Sequence, residues 1–122
     1  MIRNVDLARD IMLAIERSAD DEPASIKLDR KSYSEHVLSH HVRLLHEAGL
    51  IHAIEKSHHD GANWTPHSLT WDGYEFLSLI RDDATWQRLK QAAGLYQGDA
   101  SFAVLKDVAL RLAQERARAN AR

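Results

Sequence analysis

Cysteine is absent from the 122 residues. Disulfides and thiolate metal sites are therefore excluded. No apolar run approaches the roughly 20 residues needed to span a bilayer, so no membrane contact is expected. The opening M-I-R-N-V-D-L-A-R-D contains acids and no apolar stretch. It does not read as a signal peptide, and a cytoplasmic location is the expectation. Signatures of catalysis are missing as well. There is no G-x-S-x-G, no phosphate-cradling glycine loop and no cysteine nucleophile. Asp82–Asp83 is a candidate carboxylate pair, but it sits where one helix hands over to the next, so capping is its expected role. The chain is expected not to be an enzyme and to hold no cofactor. A basic excess is also lacking: the net charge is −2 with histidine neutral, whereas strong non-specific nucleic-acid binders have a basic footprint.

The hydrophobic fraction of 44% suffices for a core, and the length fits one domain. No internal repeat is visible. Asn4 is placed to cap a helix over residues 4–18, with Val5, Ala8, Ile11, Met12 and Ile15 as its buried stripe. S-A-D-D-E-P at 18–23 breaks the pattern, and 25–29 alternates like a short strand. Ser34 caps a second helix, 34–48. Its apolar side is Val37, Leu38, His41, Leu44, Leu45 and Ala48. Glu35, His36, Ser39, Arg43, His46 and Glu47 lie on the other side. Gly49 is suited to the left-handed conformation that ends a helix, with Leu50 folding back on it.

A hairpin follows. Ile51–Lys56 alternates, with Ile51, Ala53 and Ile54 expected to be partly buried, and Asp60–Gly61 is a turn signal. Trp64–Leu69 returns, with Pro66 suited to an edge strand. Thr70 caps a third helix over 71–81, whose apolar set is Trp71, Tyr74, Phe76, Leu77 and Ile80. A short helix follows, with Trp86 and Leu89 facing in, and then a turn at Gly94–Asp99. Ser101 opens a last helix with the stripe Phe102, Leu105, Val108, Ala109 and Leu112. The end, Glu115–Arg122, is expected to fray.

Three separated motifs stand out. They are Leu44–Leu45–Ala48–Gly49–Leu50–Ile51, Leu69–Thr70–Trp71–Gly73–Phe76–Leu77, and Ile80–Arg81–Asp82–Asp83–Trp86. Together they resemble an uncharacterised bacterial and prophage family, a domain of unknown function within the winged helix-turn-helix superfamily. The resemblance implies an α+β, mostly α fold. It would be a winged-helix core over 1–81 with a two-stranded wing, and two extra C-terminal helices over 82–122 packed on the same domain. It implies no activity. One departure is visible: only Arg30–Tyr33 separate the strand expected to end near Asp29 from Ser34. A DNA-reading helix needs a supporting helix of about eight residues before it, and there is no room for one.

If the fold reads double-stranded DNA, helix 34–48 and wing 51–69 would make the contacts. The residues placed for it are His36, Ser39, His40, Arg43, Lys56, His58 and His59. Charge argues against this. Over 34–65 the bases Arg43 and Lys56 face the acids Glu35, Glu47, Glu55 and Asp60, a balance of −2. The expected function is thus a non-enzymatic binding module, possible phage-related regulator included. It would contact DNA or, alternatively, serve protein–protein interaction or homodimerisation, the last through the C-terminal helix. That helix could instead pack back on the first.

All eight histidines lie between 36 and 67. His36 and His40, one turn apart, could share a zinc ion. No glutamate stands between them, no cysteine joins them, and the hairpin histidines need not converge on them, so no metal site is expected. His41 falls on the apolar side of its helix and is expected to be a hydrogen-bonded core residue. With Gly49, Gly61, Thr70 and Gly73 it forms the structural set. Among the tryptophans, Trp71 and Trp86 are expected in the core and Trp64 partly exposed.

Overall fold

In the computed structural model, residues 3–18, 33–58, 61–92 and 102–120 are described. Their elements, in chain order, are α1 (Val5–Arg17), α2 (Glu35–Glu47), β1 (Ile51–His58), β2 (Gly61–Leu69), α3 (Trp71–Ile80), α4 (Asp83–Ala92) and α5 (Phe102–Asn120). The described chain is α+β and mostly α, with a single two-stranded antiparallel ribbon, as expected. The strand expected at 25–29, Asp60, the turn at Gly94–Asp99 and the Ser101 cap lie outside the described residues.

Local chemistry explains most boundaries. The Asn4 side chain accepts from the Leu7 N–H at 3.1 Å, and the Ser34 hydroxyl accepts from Val37 at 3.2 Å. Each pairs an N–H that a helix start leaves open. Gly49 takes φ 77°, a conformation that penalises any Cβ. Its N–H bonds the His46 carbonyl and the Leu50 N–H bonds the Leu45 carbonyl, both at 3.0 Å. This is the Schellman pairing, which closes α2 and turns the chain into β1.

Thr70 ties three elements together. Its N–H donates to the Leu50 carbonyl at 3.0 Å. Its hydroxyl donates to the Gly49 carbonyl at 2.6 Å and accepts from Gly73 N–H at 3.0 Å. The start of α3 is thereby fastened to the end of α2. Gly73 stands so close that a Cβ there would overlap the Leu50 carbonyl oxygen.

The ribbon is longer than the alternation suggests. Ile51 pairs with Leu69 and His58 with Gly61, and the register shifts between His52 and Ala53, leaving His67 as the extra residue. Pro66 sits in this irregularity, opposite Ala53. A bulge tolerates a residue that has no N–H to donate.

The core runs through every helix and the base of the ribbon. Leu7, Ile11, Met12, Ile51, Leu77, Ile80, Trp86, Leu89 and Leu105 are buried together. Helix α1 lies against α2, α3 and β2. It therefore buries more than one stripe, adding Leu7, Arg9 and Ala14 to the expected set.

Several placements depart from expectation. Trp71 is 79% exposed, and Tyr74 also faces solvent. The buried face of α3 is Gly73, Phe76, Leu77 and Ile80. This i, i+3, i+4, i+7 set leaves Trp71 and Tyr74 on the far side. Ile54 is exposed, because Ile51 and Ala53 take the inward positions and strand side chains alternate. The buried arc of α2 is rotated toward Ser39 and Val42, since β2 covers that flank while Leu44 is only partly buried. Finally, α5 packs on α3 and α4, with Leu105 and Ala109 pointing inward, rather than returning to α1 as its main support.

Candidate functional site

Helix α2 and the ribbon form the surface on which the sequence placed DNA contacts. The structure separates those residues. Ser39 is only 8% exposed. Its hydroxyl accepts from the Trp64 N–H at 2.8 Å, pinning α2 to β2. It is therefore a packing residue rather than part of the outer face. Arg43 is exposed, but Nε donates to Glu47 Oε1 at 2.9 Å, one turn along the same helix. That intrahelical pair neutralises the single arginine of α2. His36 and Lys56 point to solvent and His40 is half-buried. Partial burial is the main cause that pushes the His40 pKa below the ordinary imidazole value, with Arg43 adding to it. His58 ends β1, and His59 lies outside the described residues.

His41 is a core residue, only 1% exposed. Its Nε2 accepts from the Asn4 N–H at 2.8 Å. With that nitrogen an acceptor, the neutral ring must hold its proton on Nδ1, 2.9 Å from the Val37 carbonyl it donates to. His41 thus joins the start of α1 to the middle of α2. Trp64 is half-buried, its ring 5.2 Å from that of His46. Among the described residues, no group of three or more His, Cys, Asp or Glu side chains is arranged to hold a metal ion.

A polar latch that sequence reasoning missed joins α1 to the end of α3 and to α4. Arg9 is 8% exposed. It donates to the carbonyls of Ile80 at 2.9 Å and Arg81 at 2.8 Å, which end α3, and to Asp83 Oδ1 at 2.7 Å. It also lies over the Trp86 ring. Beside it, Asp6 accepts from Trp86 Nε1 at 2.7 Å and Lys90 Nζ at 2.9 Å. Burial alone would raise the Asp6 pKa, but these two donors outweigh it and hold the carboxyl below its usual value. Asp82 behaves as the capping reading expects. Its Oδ2 accepts from Thr85 N–H and Oγ1, both at 2.9 Å. Asp83 is committed to Arg9. The carboxylate pair thus has structural duties on both members.

The two outer aromatics, Trp71 and Tyr74, stand one turn apart on α3. Aromatic residues are enriched at protein interfaces relative to the rest of the surface. No helix among the described residues is long and apolar enough to cross a membrane.

Comparison with known proteins agrees on the family level. The chain is 34% identical over 109 residues to an uncharacterized protein of Haemophilus influenzae, covering 89% of this chain and 92% of that relative. No solved structure matches it. Residues 2–98 match the family described as hypothetical protein (DUF2513), and the chain therefore belongs to that family.

Proposed function

We propose that this protein is a non-enzymatic module of winged-helix type whose partner is another protein. The observation behind this reading is the exposure of Trp71, 79% accessible on a helix whose other face is core. An indole left in water next to Tyr74 has the chemistry of an interface anchor. The outer face of α2 supports the same choice. Its Ser39 is used inside the fold, and its Arg43 is neutralised by Glu47. A duplex-reading helix needs free cations for phosphates.

Two measurements test the reading. A labelled random duplex, titrated at about 50 mM salt, is expected to show no saturable binding. Affinity isolation from the native host, with wild type and Trp71→Ala compared at equal thermal stability, is expected to yield a protein lost only from the variant. Salt-sensitive duplex binding weakened by Arg43→Ala, or identical isolates from both proteins, overturns it.

DNA contact remains a second reading on one specific ground. The Ser39–Trp64 bond holds α2 and the ribbon in a fixed relation, the geometry that a groove-reading helix and its wing require.

A further inference from the structure

A cleft of about 320 Å³ opens between α3, α4 and α5. Its apolar lining is Leu79, Leu112, Ala113 and Ala117, and Ser78, Thr85, Arg88 and Arg116 supply its polar groups. Its described lining includes no carboxylate. Four other arginines of the described chain are met by acids: Arg9 by Asp83, Arg43 by Glu47, Arg81 by Glu16 and Arg111 by Asp107. Arg88 and Arg116 form no ion pair among the described residues.

Arg116 is nonetheless oriented. Its Nη2 donates to Thr85 Oγ1 at 2.9 Å, and that hydroxyl donates to Asp82 Oδ2 at 2.9 Å. The relay from Asp82 through Thr85 to Arg116 fixes one guanidinium at the mouth of the cleft and leaves its remaining N–H groups available. The surrounding charge has the same sign. Over 82–92 and 102–120 the bases are Arg88, Lys90, Lys106, Arg111, Arg116 and Arg118, and the acids are Asp82, Asp83, Asp107 and Glu115, a balance of +2. The whole chain is −2, so positive potential is concentrated on these two helices.

We infer that this cleft is a docking site for an acidic segment of a partner protein, in which Arg88 and Arg116 take glutamate or aspartate carboxylates and Leu79 and Leu112 receive an apolar side chain. Guanidinium forks match carboxylates two N–H groups at a time. The pocket is the size of a few side chains, which suits a short peptide rather than the continuous phosphate track of a duplex. The inference deepens the protein-binding reading and rests on it, but it concerns a different surface from Trp71.

The test uses the full-length, isotope-labelled protein and a synthetic peptide of alternating glutamate and leucine. A lysine–leucine peptide and a random DNA duplex are the controls. The acidic peptide is expected to shift the NMR signals of Ser78, Thr85, Arg88 and Arg116. Its affinity is expected to fall at least about tenfold in the Arg88→Gln/Arg116→Gln double variant, and the lysine peptide is expected to leave these signals unmoved. Unchanged affinity in the double variant overturns the proposal, as do acidic-peptide shifts confined to other residues. Tighter binding of the duplex at this cleft overturns it in favour of phosphate recognition. Failure here with Trp71-dependent capture intact would remove the cleft and leave the general protein-binding reading in place.

Discussion

The helix–ribbon unit and the C-terminal helix pair differ in how they use charge. Between Glu35 and Leu69 the balance is acidic and the arginine of α2 is consumed by its own helix. Across α4 and α5 the balance is basic, and Arg88 and Arg116, beside a cleft, form no ion pair among the described residues. The two regions also attach to the core differently. The ribbon is joined by small groups at close range: the Ser39 hydroxyl, the Thr70 hydroxyl and the bare Cα of Gly73. Helix α4 is joined by polar side chains reaching from α1, namely Arg9 and Asp6. The comparison teaches that a helix-and-ribbon arrangement does not by itself decide where the positive charge of a chain collects. Here the net positive charge lies on α4 and α5.

Perturbing each attachment sharpens this contrast. The largest effect is expected at the ribbon junction. Gly73→Ala drives a methyl into the Leu50 carbonyl, and a loss of about 3 kcal/mol is expected in chemical denaturation, the upper range for overpacking. A loss under about 0.5 kcal/mol would mean that the junction relaxes freely.

Next comes the latch. Arg9→Met keeps the aliphatic stem but removes donors to Ile80, Arg81 and Asp83. A loss of about 2 kcal/mol is expected, because two helix-end carbonyls lose a charged partner while Asp83 is solvated. Hydrogen exchange should report it, with faster exchange in α4 and α5 than in the ribbon. Uniform loosening would erase the distinction between the two attachments.

A smaller effect is expected from Asp6 and has a definite sign. Its pKa is depressed in the folded chain. The stabilisation is therefore present above the unfolded-state value and lost as pH falls through the folded one. Asp6→Asn should cost no more than about 1 kcal/mol at pH 7 for so solvated a pair. It should also flatten the acid limb of a stability-against-pH curve. Asp10, raised chiefly by burial, works in the opposite sense and should remain in the variant. An acid limb unchanged by Asp6→Asn would show that its donors do not contribute.

The smallest effect on folding is expected at the two surfaces proposed for partner contact. Trp71→Ala and Arg88→Gln should each change stability by under about 0.5 kcal/mol, read as the thermal midpoint. A marked loss at Trp71 would mark it as a folding residue and break the case for an interface.

Much of this fold was legible because it is local. Asn4, Ser34, Gly49 and Thr70 each act within a few residues of their own position, so their types nearly dictate their roles. His41 could be read as core because it interrupts an apolar helix face. Trp71 was misread because composition favours burying tryptophan, whereas the phase of α3 is set by Gly73 packing under Leu50. Ser39 was misread because a helical wheel does not say where β2 will lie. Arg9 left no local signal at all. Its partners are 71 to 74 residues away in sequence.

By itself, then, the sequence determined where helices start and stop, which segments pair as a hairpin, and that the chain is mostly helical. Those outcomes depend on φ preferences, capping side chains and residue periodicity, all of which act over one or two turns. Only the tertiary structure decided which polar groups are spent inside the fold and which face outward. Whether an arginine is neutralised or free depends on what packing brings within about 4 Å of it, and that distance is not written along the chain.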